Sequence, residues 1–220
     1  MLSRALLLTA VVSLLTSCRL VPPGVSRTIA LPYKPENIYL RQAVLPANLR
    51  RVAVLPLPRG RGDYEHASAV DLLEPVWLTE LTKRKGFEVV RVSPEQARQA
   101  SGGLDWEAQD SMAEDFLDRL REATGCDAVI FTSLTVFKAY PPLQTGWRAR
   151  LVDCHEHLTW WAVDEVFDAG ANSVAVAAQA YARAELNEPD ALLADTGVLQ
   201  SPSRFGQYTA NALARTLPMR

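Results

Sequence analysis

The residues with the most chemistry in this chain sit side by side. Asp153-Cys154-His155-Glu156-His157 places two imidazoles, a thiol and two carboxylates within five positions. Each of these groups is a zinc ligand, and a zinc ion with an open position activates water. One alternative is therefore a metal-dependent hydrolase built on Asp153–His157, with His155 and His157 as its metal ligands. The flanking pattern argues against closure of such a site. Trp147–Val152 alternates, as does Leu158–Phe167, so the cluster falls in a hairpin turn. Consecutive turn residues point in different directions, and four of them cannot converge on one tetrahedral point. His155 and His157 could still supply half of a site shared between two copies. HExxH, a Gly-rich phosphate loop and Gly-x-Ser-x-Gly are all missing from the sequence, so no catalytic residue and no cofactor is expected.

Two further sets carry chemistry. Cys126 and Cys154 could pair in an oxidising compartment. With the preceding hairpin turn at Pro141–Gly146, however, Cys154 faces residues 131–134. That puts Cys126 on the order of 15 Å away, beyond disulfide reach, so two buried thiols are expected. Trp147, Trp160 and Trp161 lie on the alternating segments. Neighbours on a strand face opposite sides, so one of Trp160 and Trp161 belongs to the core. The other lies under a helix or forms a docking patch beside an open strand edge.

The elements that must position these groups are legible. The chain has 220 residues, 48% apolar and 22% charged, with a formal charge of −2. That excludes collagen-like chains and supports one domain with a real core. Nothing in the charge points to nucleic acid. Arg51–Leu57 reads as a buried strand. Val70, Leu73, Trp77, Leu78 and Leu81 form one helical face. Pro75 lies within that helix, which kinks there or starts there. Lys83-Arg84-Lys85 and Gly86 end it. Phe87–Val92 is a second strand. Ser93-Pro94-Glu95-Gln96 starts a short helix, closed by Gly102-Gly103, and Ser111-Met112-Ala113-Glu114 starts another that Gly125 closes. Asp127–Phe137 is a long strand, and the two alternating segments complete a meander. Asn172 and Ser201-Pro202 open two last helices, with an acidic loop over 187–200 between them. The order β-α-β-α-α-β-β-β-α-α predicts an α/β (α+β) fold. Its mixed sheet has an early parallel βαβ unit and a late antiparallel meander, with helices packed on it.

The N-terminus carries its own message. Met1–Arg4 is basic, Ala5–Leu15 is apolar or small, and Leu15-Thr16-Ser17-Cys18 follows. The run is too short to span a bilayer and has the form of a secretion signal. Its ending resembles a bacterial lipobox. That resemblance implies that Cys18 is acylated as the new N-terminus and that acyl chains hold the protein on a membrane. Arg19, where inner-membrane retention signals carry Asp, implies the outer membrane. Residues 1–17 are then a signal peptide, 18–49 a lipidated tether and 50–220 a single domain. Five of the fourteen prolines lie in 19–49, and Arg19, Arg27, Lys34 and Arg41 face Glu36 alone. A basic, extended leader therefore precedes an acidic body. Residues 19–36 are expected to be a free spacer. For 37–49 a spacer and a segment wrapped on the body are both open, because Ile38, Tyr39, Leu40, Val44 and Leu45 are apolar enough to pack.

The body resembles a family of bacterial envelope lipoproteins. The resemblance rests on Arg51-Val52-Ala53-Val54-Leu55-Pro56, on Glu80-Leu81 with Gly86–Val90, on Gly125–Ile130 and on Val152-Asp153 with Trp160-Trp161. These features are similar to the TolB amino-terminal domain, shared by the curli-secretion lipoprotein and by the lipoprotein that activates a peptidoglycan synthase. The resemblance implies a periplasm-facing, non-catalytic module that binds periplasmic or outer-membrane proteins, or a second copy of itself. A ring-forming accessory subunit of a secretion or flagellar-type assembly is a further alternative. No second pair of long alternating strands remains to build a curli-type barrel.

Labelling with radioactive palmitate checks the anchor: the native chain is expected to take up label in a bacterial host, and Cys18→Ala to take up none. Equal labelling of the two removes the lipobox assignment.

Overall fold

The computed structural model describes residues 33–60, 63–102, 115–185 and 191–219. The strands are β1 (Ile38–Leu40), β2 (Arg51–Val54), β3 (Glu88–Arg91), β4 (Ala128–Lys138), β5 (Gln144–Asp153) and β6 (Thr159–Asp168). The helices are α1 (Tyr64–Lys83), α2 (Pro94–Ala100), α3 (Phe116–Thr124), α4 (Asn172–Glu185), α5 (Ala191–Gln200) and α6 (Pro202–Ala214). One six-stranded sheet runs β1-β6-β5-β4-β2-β3. β2 is parallel to β3 on one side and to β4 on the other, and β4-β5-β6-β1 is antiparallel. The protein is thus a mixed α/β fold with the expected βαβ unit and meander.

Local rules explain most boundaries. The Asp63 carboxylate accepts from His66 N at 2.9 Å and starts α1. That helix runs through Pro75 without starting there. Ser93 and Gln96 form a reciprocal capping box on α2. Gly125, at φ 66°, takes the left-handed turn that closes α3. The Ser111–Glu114 capping box lies outside the described residues.

The sheet separates two cores. The larger includes Leu73, Trp77 and Leu81 of α1, Ala178 of α4, Phe205 and Leu213 of α6, and Trp147 and Trp161 of the meander. The smaller, on the opposite face, gathers Ala53, Leu55, Phe116, Leu120, Val129 and Phe131 under α2 and α3. Beyond α3 that face is polar. There Arg148 and Asp164, paired across β5 and β6, meet at 2.7 Å, and the Arg150 guanidinium lies 4.7 Å from the centre of the Phe131 ring.

Three expectations are corrected. Residues 33–36, expected to belong to a free spacer, lie against the body, and so do 37–49, for which the sequence leaves both readings open. Tyr33 already packs against Phe167, and its hydroxyl donates to Glu165 Oε1 at 2.8 Å. The other oxygen of Glu165 accepts from Glu36 N and Asn37 N. β1 then joins the sheet, and Leu45 and Leu49 are buried. Prolines in this stretch did not keep it off the body, because its apolar residues found a vacant sheet edge. The acidic loop expected over 187–200 contains α5, which forms although Asp195, Thr196 and Gly197 are weak helix formers.

The third correction concerns register. The hairpin loop is 139–143 rather than Pro141–Gly146, and β5 begins at Gln144. Pairing therefore brings Asp153 opposite Ala128, and Cys154 reaches the strand entry beside Cys126. Gly146 sits where a bulge interrupts β4, and a Cβ there would lie 2.9 Å from Val136 N. Only glycine fits so close to a neighbouring backbone.

Trp77 lies fully buried between α1 and the sheet, its ring 5.7 Å from that of Trp147 and its indole N–H donating to Thr132 Oγ1 at 3.0 Å. Trp77→Ala is expected to cost about 3–5 kcal/mol in urea unfolding, and Trp77→Phe, which keeps a ring in the space, distinctly less.

Candidate functional site

A groove of ≈ 630 Å³ opens where the N-terminal segment meets the helices. Three pieces of chain form it. Tyr33–Pro35 and Ile38 make one wall, anchored through Glu165 as described. α4 makes the second with Val176, Ala177, Ala180 and Ala184, whose small side chains on one helical face leave room for the gap. Tyr208, Ala212 and Arg215 on and after α6 make the third. The volume lies in the range of ligand sites.

Aromatic rings brace the groove. Tyr208 contacts Phe167, Tyr181 and Phe205, each with centroids 5.9 Å apart. It is 4% exposed, and its hydroxyl has no hydrogen-bond partner among the described residues. Burial raises its pKa, and that of Tyr181, so both phenols stay neutral. Lys34, Glu185 and Arg215 bring charge to the lining. The Arg84 pKa is lowered by burial and by Arg215 nearby. The side chains lining the groove include no thiol, imidazole or serine. The site offers apolar walls and charged residues suited to binding.

Beside the groove lies an edge that is free among the described residues. There β1 pairs with β6 on one side only, and Tyr39 and Leu40 are 51% and 45% exposed. The apolar composition of 37–49 allows this segment to pack on the body, but nothing local in the sequence tells which sheet edge it joins.

The residues singled out from sequence are distributed differently. Cys18 lies outside the described residues. Trp161 is fully buried and donates to Thr216 Oγ1 at 2.9 Å, which makes it a core residue rather than a docking one. Trp160 forms an irregularity between β5 and β6 and lies half-buried beneath Arg41, whose guanidinium is 5.8 Å from the ring centre.

Within one copy, the turn Asp153–His157 does not bring three ligand-type side chains together. The Asp153 carboxylate accepts from His155 N at 2.9 Å and Glu156 N at 2.6 Å, so it is occupied in holding the turn. His155 Nδ1 lies 3.2 Å from an Arg121 guanidinium nitrogen, a cation unfavourable to a bound metal. His157 takes a positive φ of 58° and Cys154 points into the core. Among the described residues no three His, Cys, Asp or Glu side chains converge.

Cys154 instead meets Cys126, with Sγ atoms 3.6 Å apart and both thiols buried and free. The contact with Cys154, with burial opposing it, lowers the Cys126 pKa to about 7; the same contact and burial raise that of Cys154.

No family model matches the chain, and no curated protein matches it. Solved structures give weak likenesses. Lipoprotein GNA1162 from Neisseria meningitidis is 18% identical, over 56% of this chain and 82% of that one, at a TM-score of 0.40. The PelC dodecamer from Paraburkholderia phytofirmans is 14% identical, over 75% and 96%, at 0.39. The hypothetical protein CT253 from Chlamydia trachomatis is 12% identical, over 76% and 95%, at 0.38. Likeness of this order assigns no function. No described helix is long and apolar enough to cross a membrane.

Added zinc is expected to leave the Tm unchanged both in the native protein and in the His155→Ala/His157→Ala double variant. A zinc-dependent rise in Tm that the double variant loses restores the metal reading.

Proposed function

We propose that this protein is a lipid-anchored, non-catalytic binding module of the bacterial envelope. Acylated Cys18 holds it to the outer membrane, the body faces the periplasm, and the apolar edge of β1 with its adjoining groove receives a periplasmic or outer-membrane protein. The observation that carries this is the exposed Tyr39-Leu40 edge, unpaired on its outer side among the described residues and directly beside a largely apolar groove. A partner strand laid on that edge would gain main-chain hydrogen bonds, and the exposed side chains would give it specificity.

The lipobox supports the anchor. With the body beginning by Tyr33, only residues 19–32 separate it from Cys18. At ~3.1 Å per residue they reach at most about 45 Å. The β1 edge would therefore face a zone close to the membrane, where other envelope proteins are anchored.

A photo-crosslinking amino acid in place of Leu40, in the full lipidated chain in living cells, tests the surface. One discrete adduct with an envelope protein is expected, and Tyr39→Asp is expected to abolish it while leaving the circular dichroism unchanged. An adduct with a second copy of the chain would put self-assembly in place of a foreign partner. Absence of any adduct, or adducts equal to those from a probe at exposed Glu95 on α2, overturns the assignment of this edge.

A further inference from the structure

We propose that Cys126 and Cys154 are a disulfide site, closed when the protein folds outside the reducing compartment. The two sulfurs lie 3.6 Å apart in the smaller core, so bond formation needs an approach of only about 1.5 Å. The surrounding backbone fixes the encounter. Cys154 N donates to Asp127 O at 2.9 Å, and Asp127 N donates to Arg51 O at 2.8 Å. The Asp127 carboxylate also accepts from Arg50 N and Arg51 N, both at 2.8 Å. The entry to β4 is thus tied both to β2 and to the exit from β5, with the two cysteines at the junction.

The chemistry is thiol–disulfide exchange with an exchangeable disulfide donor, such as a thiol oxidoreductase or oxidised glutathione. The Cys126 thiolate attacks one donor sulfur, the donor S–S bond breaks, and one donor thiolate leaves. The Cys154 thiolate then attacks Cys126 Sγ in the mixed disulfide and expels the second donor thiolate. Two cysteine thiols lose two electrons and two protons, and the donor disulfide is reduced to two thiols. Both thiols are buried, so exchange precedes closure of the core or follows opening of the 154–157 turn. The bridge would join the two ends of the β4–β5 hairpin and shorten the unfolded chain's free loop. A metal is a poorer occupant, because no third ligand joins the two sulfurs among the described residues.

The Cys18→Ala chain isolates these two thiols. It is refolded with reduced and oxidised glutathione, trapped with N-ethylmaleimide under denaturing conditions, and weighed by mass spectrometry. The expected product carries no adduct and is two hydrogens lighter than the reduced chain. Reductant before trapping should yield two adducts. The Tm is expected to exceed that of the reduced protein by about 5–10 °C, a gain that Cys126→Ser abolishes. Two adducts after oxidative refolding, glutathione adducts in place of a bridge, or a bridge that leaves the Tm unraised each overturn the proposal.

Discussion

Burying an indole removes a large apolar surface from water but also removes an N–H donor, which must then find a partner inside. Among the described residues, Trp77, Trp147 and Trp161 are fully buried between the sheet and the main helical layer, and each is answered by a threonine. Trp77 of α1 donates to Thr132 of β4, Trp147 of β5 to Thr209 of α6, and Trp161 of β6 to Thr216 just beyond α6. The hydroxyls of Thr209 and Thr216 pass the chain on to the carbonyls of Gly206 and Leu213. A sheet held only by apolar contact could slide against its helices. One fastened at three separated donors cannot do so without stranding a buried polar group. The placement of α1 and α6, and hence of the groove beside α6, follows from this fastening.

A second constraint sits at the other end of the larger core. Glu165 receives the Tyr33 hydroxyl and the amides of Glu36 and Asn37. One carboxylate thereby turns a proline-rich leader into part of the body and closes one wall of the groove. Glu80 has a parallel role between helices. It is buried, yet reaches Asn211 Nδ2 at 2.8 Å and Lys83 Nζ at 2.6 Å. A buried carboxylate such as that of Glu80 is retained only when partnered, and here Lys83 and Asn211 partner it, the latter tying α1 to α6.

Legibility in the sequence tracked the range of the interaction involved. The strands, the capping box at Ser93, the glycine stop at Gly125 and the βαβ order are set within a few residues, and the pattern displays them. The packing of residues 33–37 is not legible locally, because their partner Glu165 lies far along the chain and no local rule points to it. The hairpin loop was misplaced by a few residues at Pro141-Pro142 and Gly146. Since register is fixed by the loop, this error displaced Cys154 along β4 and separated two sulfurs that are in fact adjacent. Gly146 belongs to the strand because the bulge opposite needs a residue without a Cβ, a requirement invisible without the partner strand.

The same dependence on register shapes the candidate surface. β1 pairs Ile38 with Val163, Tyr39 with Ala162 and Leu40 with Trp161. Ile38 therefore packs on the larger core and lines the groove, while Tyr39 turns to the opposite face. A slip of one residue would exchange these roles, bury the tyrosine and fill the groove wall with a bulky ring. The Glu165 clamp lies immediately upstream, and the amide of Arg41 donates to Trp160 O at 3.0 Å immediately downstream. A strand of three residues is too short to hold its own register by ladder bonds alone. The contacts on both flanks supply what the strand lacks. The carboxylate that ties down the leader therefore also decides which side chains the free edge presents.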